Sequence, residues 1–181
     1  MSPAQAVFFD RDGTLMEEAH YCGDPALVKV YPGIPAAFAT LKEAGFRIFV
    51  VTNQSGIGRG LIALGQYQAV QEELLRQIGP GLIDASYFCA DPPGVPSTRR
   101  KPEPGMVLEA AAAFGIHLPD SWFVGDKAAD IECGQRAGTH TVLVLTGYGR
   151  EQNCSPEFRA ENAVAAASLI VGQSRVTVRR Q

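Results

Sequence analysis

The chain has 181 residues, 46% hydrophobic and 19% charged, the size and composition of one domain, 1–181, with a substantial core. The net charge is −3, and lysine and arginine are scattered outside short pairs such as Arg99-Arg100 and Arg179-Arg180, which argues against a nucleic-acid or anionic-membrane surface. No apolar run approaches the roughly 18 residues of a bilayer span, and the opening "MSPAQ" lacks the basic start and apolar core of a signal peptide; a cytoplasmic monomer with a small-molecule partner is expected.

In chain order, 6–10 "AVFFD" reads as a strand. A helix follows Pro32-Gly33, carrying Ile34, Ala37, Phe38 and Leu41 at helical spacing and stopping at Gly45. Next come a strand at 46–52 and a helix at 65–78, whose Tyr67, Val70, Leu74 and Ile78 form one core-facing stripe. A strand at 85–89 leads into 91–100 "DPPGVPSTRR", where three prolines dictate a loop. Helix 103–114, strand 121–125, helix 128–137 and strand 140–145 follow. The tail 151–181 holds an alanine-rich piece with helical potential and no functional signal. This alternation predicts an α/β fold, a Rossmann-like doubly wound parallel sheet with helices on both faces. Cys22, Cys89, Cys133 and Cys154 are far apart with no C-x-x-C pair, as expected of free thiols in a reducing compartment.

In such sheets ligands gather beyond the carboxyl ends of the strands. Asp10 and Asp12 follow the first strand, Thr52, Asn53, Gln54 and Ser55 the second; Lys101 precedes a helix, and Asp126, Lys127 and Asp130 follow "WFVG". Two acids crowded at the end of an apolar strand cost desolvation and repulsion unless a cation or proton compensates. Three carboxylates from separate loops suit Mg²⁺, which prefers oxygen ligands, whereas zinc calls for His or Cys. The donors of "TNQSG" and the Lys101 ammonium suit a phosphate. Phosphoryl transfer follows: Asp10 as carboxylate nucleophile, Asp12 as the group that protonates the leaving alkoxide and then deprotonates water. Gly13 permits a close turn, and Thr14 is expected to help fix Asp12.

Together "FFDRDGTL", "VVTNQSGIGRG", "RKPEPGM" and "VGDKAAD" resemble the four motifs of the haloacid dehalogenase superfamily of phosphatases over residues 6–148, and within it the histidinol-phosphatase/heptose-bisphosphate phosphatase group. The resemblance implies Mg²⁺ held by the Asp10 carboxylate, the Asp12 backbone carbonyl and Asp126, with Asp130 supporting. It assigns Asp10, Arg11, Asp12, Thr52, Asn53, Gln54, Ser55 and Lys101 to phosphate or substrate, joined by Glu18, Ala19, His20, Tyr21, Arg100 and Lys127. The implied activity is release of the 7-phosphate of a heptose 1,7-bisphosphate in ADP- or GDP-heptose and lipopolysaccharide core synthesis, with histidinol phosphate as the alternative substrate.

The group's zinc-bearing loop has C-x-H after the third strand and C-x-C before the Arg-Lys pair. Here these positions read Cys89-Ala90-Asp91 and Ser97-Thr98-Arg99, three of the four ligands are missing, and no structural zinc is expected. About twenty residues separate "DRDGT" from the next helix, and one helix and one strand fill the interval from Ser55 to Lys101, so no cap domain fits. Loops 17–24 and 91–100 are left to supply specificity. A receiver-like phosphoacceptor module shares the sheet and the Mg²⁺, but has no use for an acid/base at Asp12.

Overall fold

Strand β1 (Ala6–Phe9) is apolar at every position because it lies at the centre of a sheet covered on both faces. The computed structural model describes residues 4–178; the first three residues of "MSPAQ" and the Arg179-Arg180 pair lie outside them. Val7 and Phe9 face a core built with α1 (Ile34–Glu43), α3 (Leu64–Ile78) and α6 (Ala163–Val178), whereas Ala6 and Phe8 face α4 (Gly105–Phe114) and α5 (Ala128–Ala137). Phe8 stacks on Phe49 and Phe123, with ring centres 5.2 and 6.4 Å away, while Phe9 meets Phe38 at 4.8 Å.

The remaining strands are β2 (Arg47–Asn53), β3 (Ala85–Cys89), β4 (Trp122–Gly125), β5 (His140–Val144) and β6 (Phe158–Ala160). All pair in parallel, in the order β3-β2-β1-β4-β5-β6. The chain builds outward from β1 on one side, then returns to its other side with β4. That reversal opens a crevice at the carboxyl ends of β1 and β4, where such sheets bind ligands.

Expected strands and helices recur with ends moved by one or two residues. Helix α4 begins at Gly105 rather than 103, since a residue before proline, here Glu103 before Pro104, is pushed out of the helical region. Besides three 3-10 turns, two short elements are additional: the single turn α2 (Ser55–Gly58) and the edge strand β6, whose three residues are too few to show a two-residue period. The alanine-rich piece of the tail forms helix α6, packed on α1, and β6 extends the sheet beyond β5. Among the described residues no cap domain interrupts the chain: one 3-10 turn (Pro25–Leu27) lies between β1 and α1, and α2 and α3 lie between β2 and β3. No helix among them is long and apolar enough to cross a membrane.

Asp84, just before β3, ties three elements together. Its carboxylate accepts bonds of 2.7 Å from Lys42 Nζ, Arg47 Nη1 and the Ile48 N–H. Burial opposes its ionisation, but Lys42, the Ile48 N–H and Arg47 outweigh that and hold its pKa below the ordinary 3.8. A depressed folded pKa gives stability that is present above the unfolded value and lost as pH falls through the folded one. Asp84→Asn is therefore expected to lower the free energy of unfolding by about 1–3 kcal/mol at pH 7. The gap from wild type, measured by urea unfolding, narrows toward pH 3; a gap independent of pH contradicts the assignment.

Candidate active site

Asp10 leaves β1 with its N–H donating to Val124 O of β4 at 2.9 Å, so the sheet itself places the carboxyl beside the end of β4. There Asp126 is fully buried. Gly13 (φ 82°) and Gly147 (φ 52°) turn closely around it, and a Cβ on either would collide with the Asp126 carboxylate. Lys101 is also buried, and its ammonium spends three donors on Asp130 Oδ1 (2.6 Å), Asp10 Oδ1 (2.7 Å) and Val51 O (2.8 Å). The Asn53 side chain brackets the Lys101 backbone, donating to its carbonyl and accepting from its N–H at 3.0 Å each.

Oxygen atoms of Asp10, Asp126 and Asp130 lie within 4.8 Å of one another, all three residues buried. Burial opposes ionisation of Asp10, but Lys101 and then Lys127 outweigh it and hold its pKa below the ordinary range. Burial, then the charges of Asp10 and Asp130, push Asp126 up to about 8. Asp130 is likewise raised by burial, which its contact with Lys101 offsets in part. The three carboxylates outnumber the nearby ammoniums of Lys101 and Lys127, and Asp126 Oδ1 is buried without a hydrogen-bond partner. Hard oxygen donors, uncompensated charge and an orphaned carboxylate oxygen fit Mg²⁺. Asp126 Oδ2 is fixed by the Tyr148 N–H at 2.9 Å. Asp130 has both oxygens engaged, one by Lys101 and one by the Lys127 N–H at 3.0 Å, which suits a supporting role.

Asp12 has different neighbours. Arg11 Nε and Nη2 donate to its two oxygens at 3.0 and 3.1 Å, and Gln54 Nε2 adds a bond of 2.8 Å while also reaching Thr52 Oγ1 at 2.9 Å. The Thr14 hydroxyl is buried with no hydrogen-bond partner, so the expected help from Thr14 is not a hydrogen bond to Asp12.

Asp10, Asp12, Thr52, Asn53, Lys101, Lys127 and Asp130 line one cavity of about 50 Å³, joined by Ala129. Other expected contacts lie elsewhere. The Arg11 guanidinium is buried against Asp12 and Tyr67, so only its backbone is left for a ligand. Ser55 starts α2, Ala19 packs against the core, and Arg100 Nη1 donates to Asp91 O at 2.9 Å. Glu18 meets Lys127 Nζ at 3.1 Å. His20 and Tyr21 adopt positive φ of 24° and 49°; the His20 ring bonds the Tyr148 hydroxyl at 3.2 Å, and the Tyr21 hydroxyl accepts from Arg59 at 3.1 Å. Tyr148, absent from the sequence reading, therefore contributes a backbone donor to Asp126, a hydroxyl to His20 and a ring face 5.0 Å from the Lys127 ammonium. Its position beyond the end of β5 was the available signal. In the 91–100 loop, Cys89 Sγ donates to Asp91 Oδ2 at 3.3 Å and lies 3.7 Å from Ser97 Oγ, a thiol, carboxylate and hydroxyl set that does not fit a structural zinc.

Residues 98–169 match the HAD-hydrolase-like family model. The D-glycero-D-manno-heptose-1,7-bisphosphate 7-phosphatase of Chlorobaculum tepidum is 35% identical over 96% of this chain and 98% of its own. The D-glycero-beta-D-manno-heptose-1,7-bisphosphate 7-phosphatase of Mesorhizobium japonicum is 41% identical over 81% of this chain and 72% of its own. Among solved structures, the D,D-heptose 1,7-bisphosphate phosphatase of B. bronchiseptica, complexed with magnesium and phosphate, superposes with a TM-score of 0.86 at 29% identity, covering 93% of this chain and 99% of that one. With the four motifs gathered at one strand-end crevice, the chain belongs to the heptose-1,7-bisphosphate 7-phosphatase family of the haloacid dehalogenase superfamily.

Proposed function

We propose that this chain is a cytoplasmic phosphatase that removes the 7-phosphate of D-glycero-D-manno-heptose 1,7-bisphosphate through an aspartyl phosphate on Asp10, serving ADP- or GDP-heptose and lipopolysaccharide core synthesis. The observation that carries the reading is the Asp10 carboxylate, kept ionised by Lys101 at the edge of an acidic cluster and lining a cavity of about 50 Å³. Similarity to heptose phosphatases along nearly the whole chain supports this substrate over histidinol phosphate.

Asp10 attacks phosphorus as the bond to the sugar oxygen breaks, and Asp12 gives that oxygen its proton. Asp12 then takes a proton from water, which attacks the phosphorus of the aspartyl phosphate, releasing inorganic phosphate and restoring Asp10. Thr52 and Asn53 line the cavity as donors to phosphate oxygens, and Lys101, its three N–H donors already engaged, lends the phosphate its positive charge. Asp10, the Asp12 carbonyl and Asp126 would hold Mg²⁺, which when bound would supply the positive charge that lets a carboxylate meet a phosphate dianion. Without a cap, Glu18 to Tyr21 and the 91–100 loop with Arg100 are left to read the sugar.

Asp10→Asn is expected to abolish turnover, and Asp12→Asn to lower kcat by on the order of 10²–10⁴-fold; wild-type rates in either contradict the roles. Chelation removes activity and Mg²⁺ restores it, while Asp126→Asn raises the Mg²⁺ concentration for half-maximal rate by at least about tenfold, the loss of one charged ligand. Product analysis by ³¹P NMR is expected to show the heptose 1-phosphate retained and the 7-phosphate gone; loss of the 1-phosphate, or faster hydrolysis of histidinol phosphate, overturns the substrate.

A further inference from the structure

Arg11 is the largest of the fully buried side chains, yet it carries a charge. Its Nε and Nη2 grip the two Asp12 oxygens at 3.0 and 3.1 Å, its guanidinium carbon stands 5.5 Å from the centre of the Tyr67 ring, and Nη1 is buried with no partner. Stability alone does not account for this. An apolar side chain of similar volume commonly serves a buried position as well as an ion pair does, and here the two N–H donors of Nη1 are also left unsatisfied. A carboxylate offers about four acceptor sites. Arg11 takes one on each oxygen and Gln54 takes the second on Oδ2, leaving one on Oδ1.

We infer that Arg11, backed by the Tyr67 ring, is the positioning residue of the proton-transfer group. It fixes the plane of the Asp12 carboxyl so that Oδ1 is presented to the leaving oxygen, while its own side chain stays out of the cavity. A lysine does not replace it, because an ammonium is a point donor without the planar fork that sets a plane. Helix α3, whose stripe reads as core alone, thereby reaches the chemistry through Tyr67. The inference rests on the reading of Asp12 as the acid, and the experiment separates the two.

Alcohol release is measured in single turnover, enzyme in excess, for two esters. Heptose 1,7-bisphosphate expels an alkoxide that needs a proton; p-nitrophenyl phosphate expels a group that does not. Arg11→Met and Arg11→Lys are expected to slow release from the heptose ester by on the order of 10- to 100-fold and from the aryl ester by less than about threefold, part of the full acid/base contribution. Asp12→Asn shows the same selectivity more strongly. If Asp12→Asn is selective but the Arg11 variants slow both esters alike, or neither, the positioning role is overturned and the acid role stands. If Asp12→Asn itself is unselective, both fall. Should Arg11→Met fail to fold by circular dichroism, Arg11→Lys keeps the charge and decides the matter.

Discussion

Three carboxylates at the carboxyl end of a parallel sheet, with one ammonium among them, set the terms for the rest of the structure. The pairing of β1 with β4 brings Asp10 beside Asp126, and the first turn of α5 adds Asp130. Buried like charges are tolerable only with compensation. Lys101 supplies part of it from a position that Asn53 brackets through backbone bonds. The remainder, concentrated at Asp126 with its unpartnered Oδ1, is what a divalent cation neutralises.

The two acids of "DRDGTL" are separated by their neighbours rather than by chemistry. Asp10 turns to Lys101 and the acidic cluster, where its ionised form is favoured and where a nucleophile is needed. Asp12, two residues on, is bound instead by Arg11 and Gln54, whose N–H donors hold its side chain. A nucleophile and a proton carrier can then sit at one cavity without competing for the same partners.

Placement at strand ends was legible in the sequence because apolar runs and their polar punctuation mark where strands stop. That was enough to gather Asp10, Thr52, Asn53, Lys101, Lys127 and Asp130 around one cavity. Direction was not legible. Nothing in spacing says that the Arg11 guanidinium folds back onto Asp12 while the Thr14 hydroxyl finds no partner. Tyr148 is 22 residues from Asp126, to which its N–H donates, and 128 from His20, which its hydroxyl meets, so only the sheet brings them together. β6 escaped because three edge residues leave too little pattern, although the alanine-rich segment after it shows its helical nature plainly. Loop 91–100 lacks the thiols of a metal clip and is drawn together instead by hydrogen bonds around Cys89, Asp91 and Ser97.

Nucleophilic attack by Asp10 requires a covalent phosphoryl group on that residue during turnover. Enzyme quenched in acid during turnover and reduced with borohydride converts an acyl-phosphate residue to homoserine, and peptide mass spectrometry then locates it. Homoserine at position 10, dependent on substrate and Mg²⁺, is the predicted result. Homoserine at position 12, 126 or 130, or at no position while turnover proceeds, contradicts it.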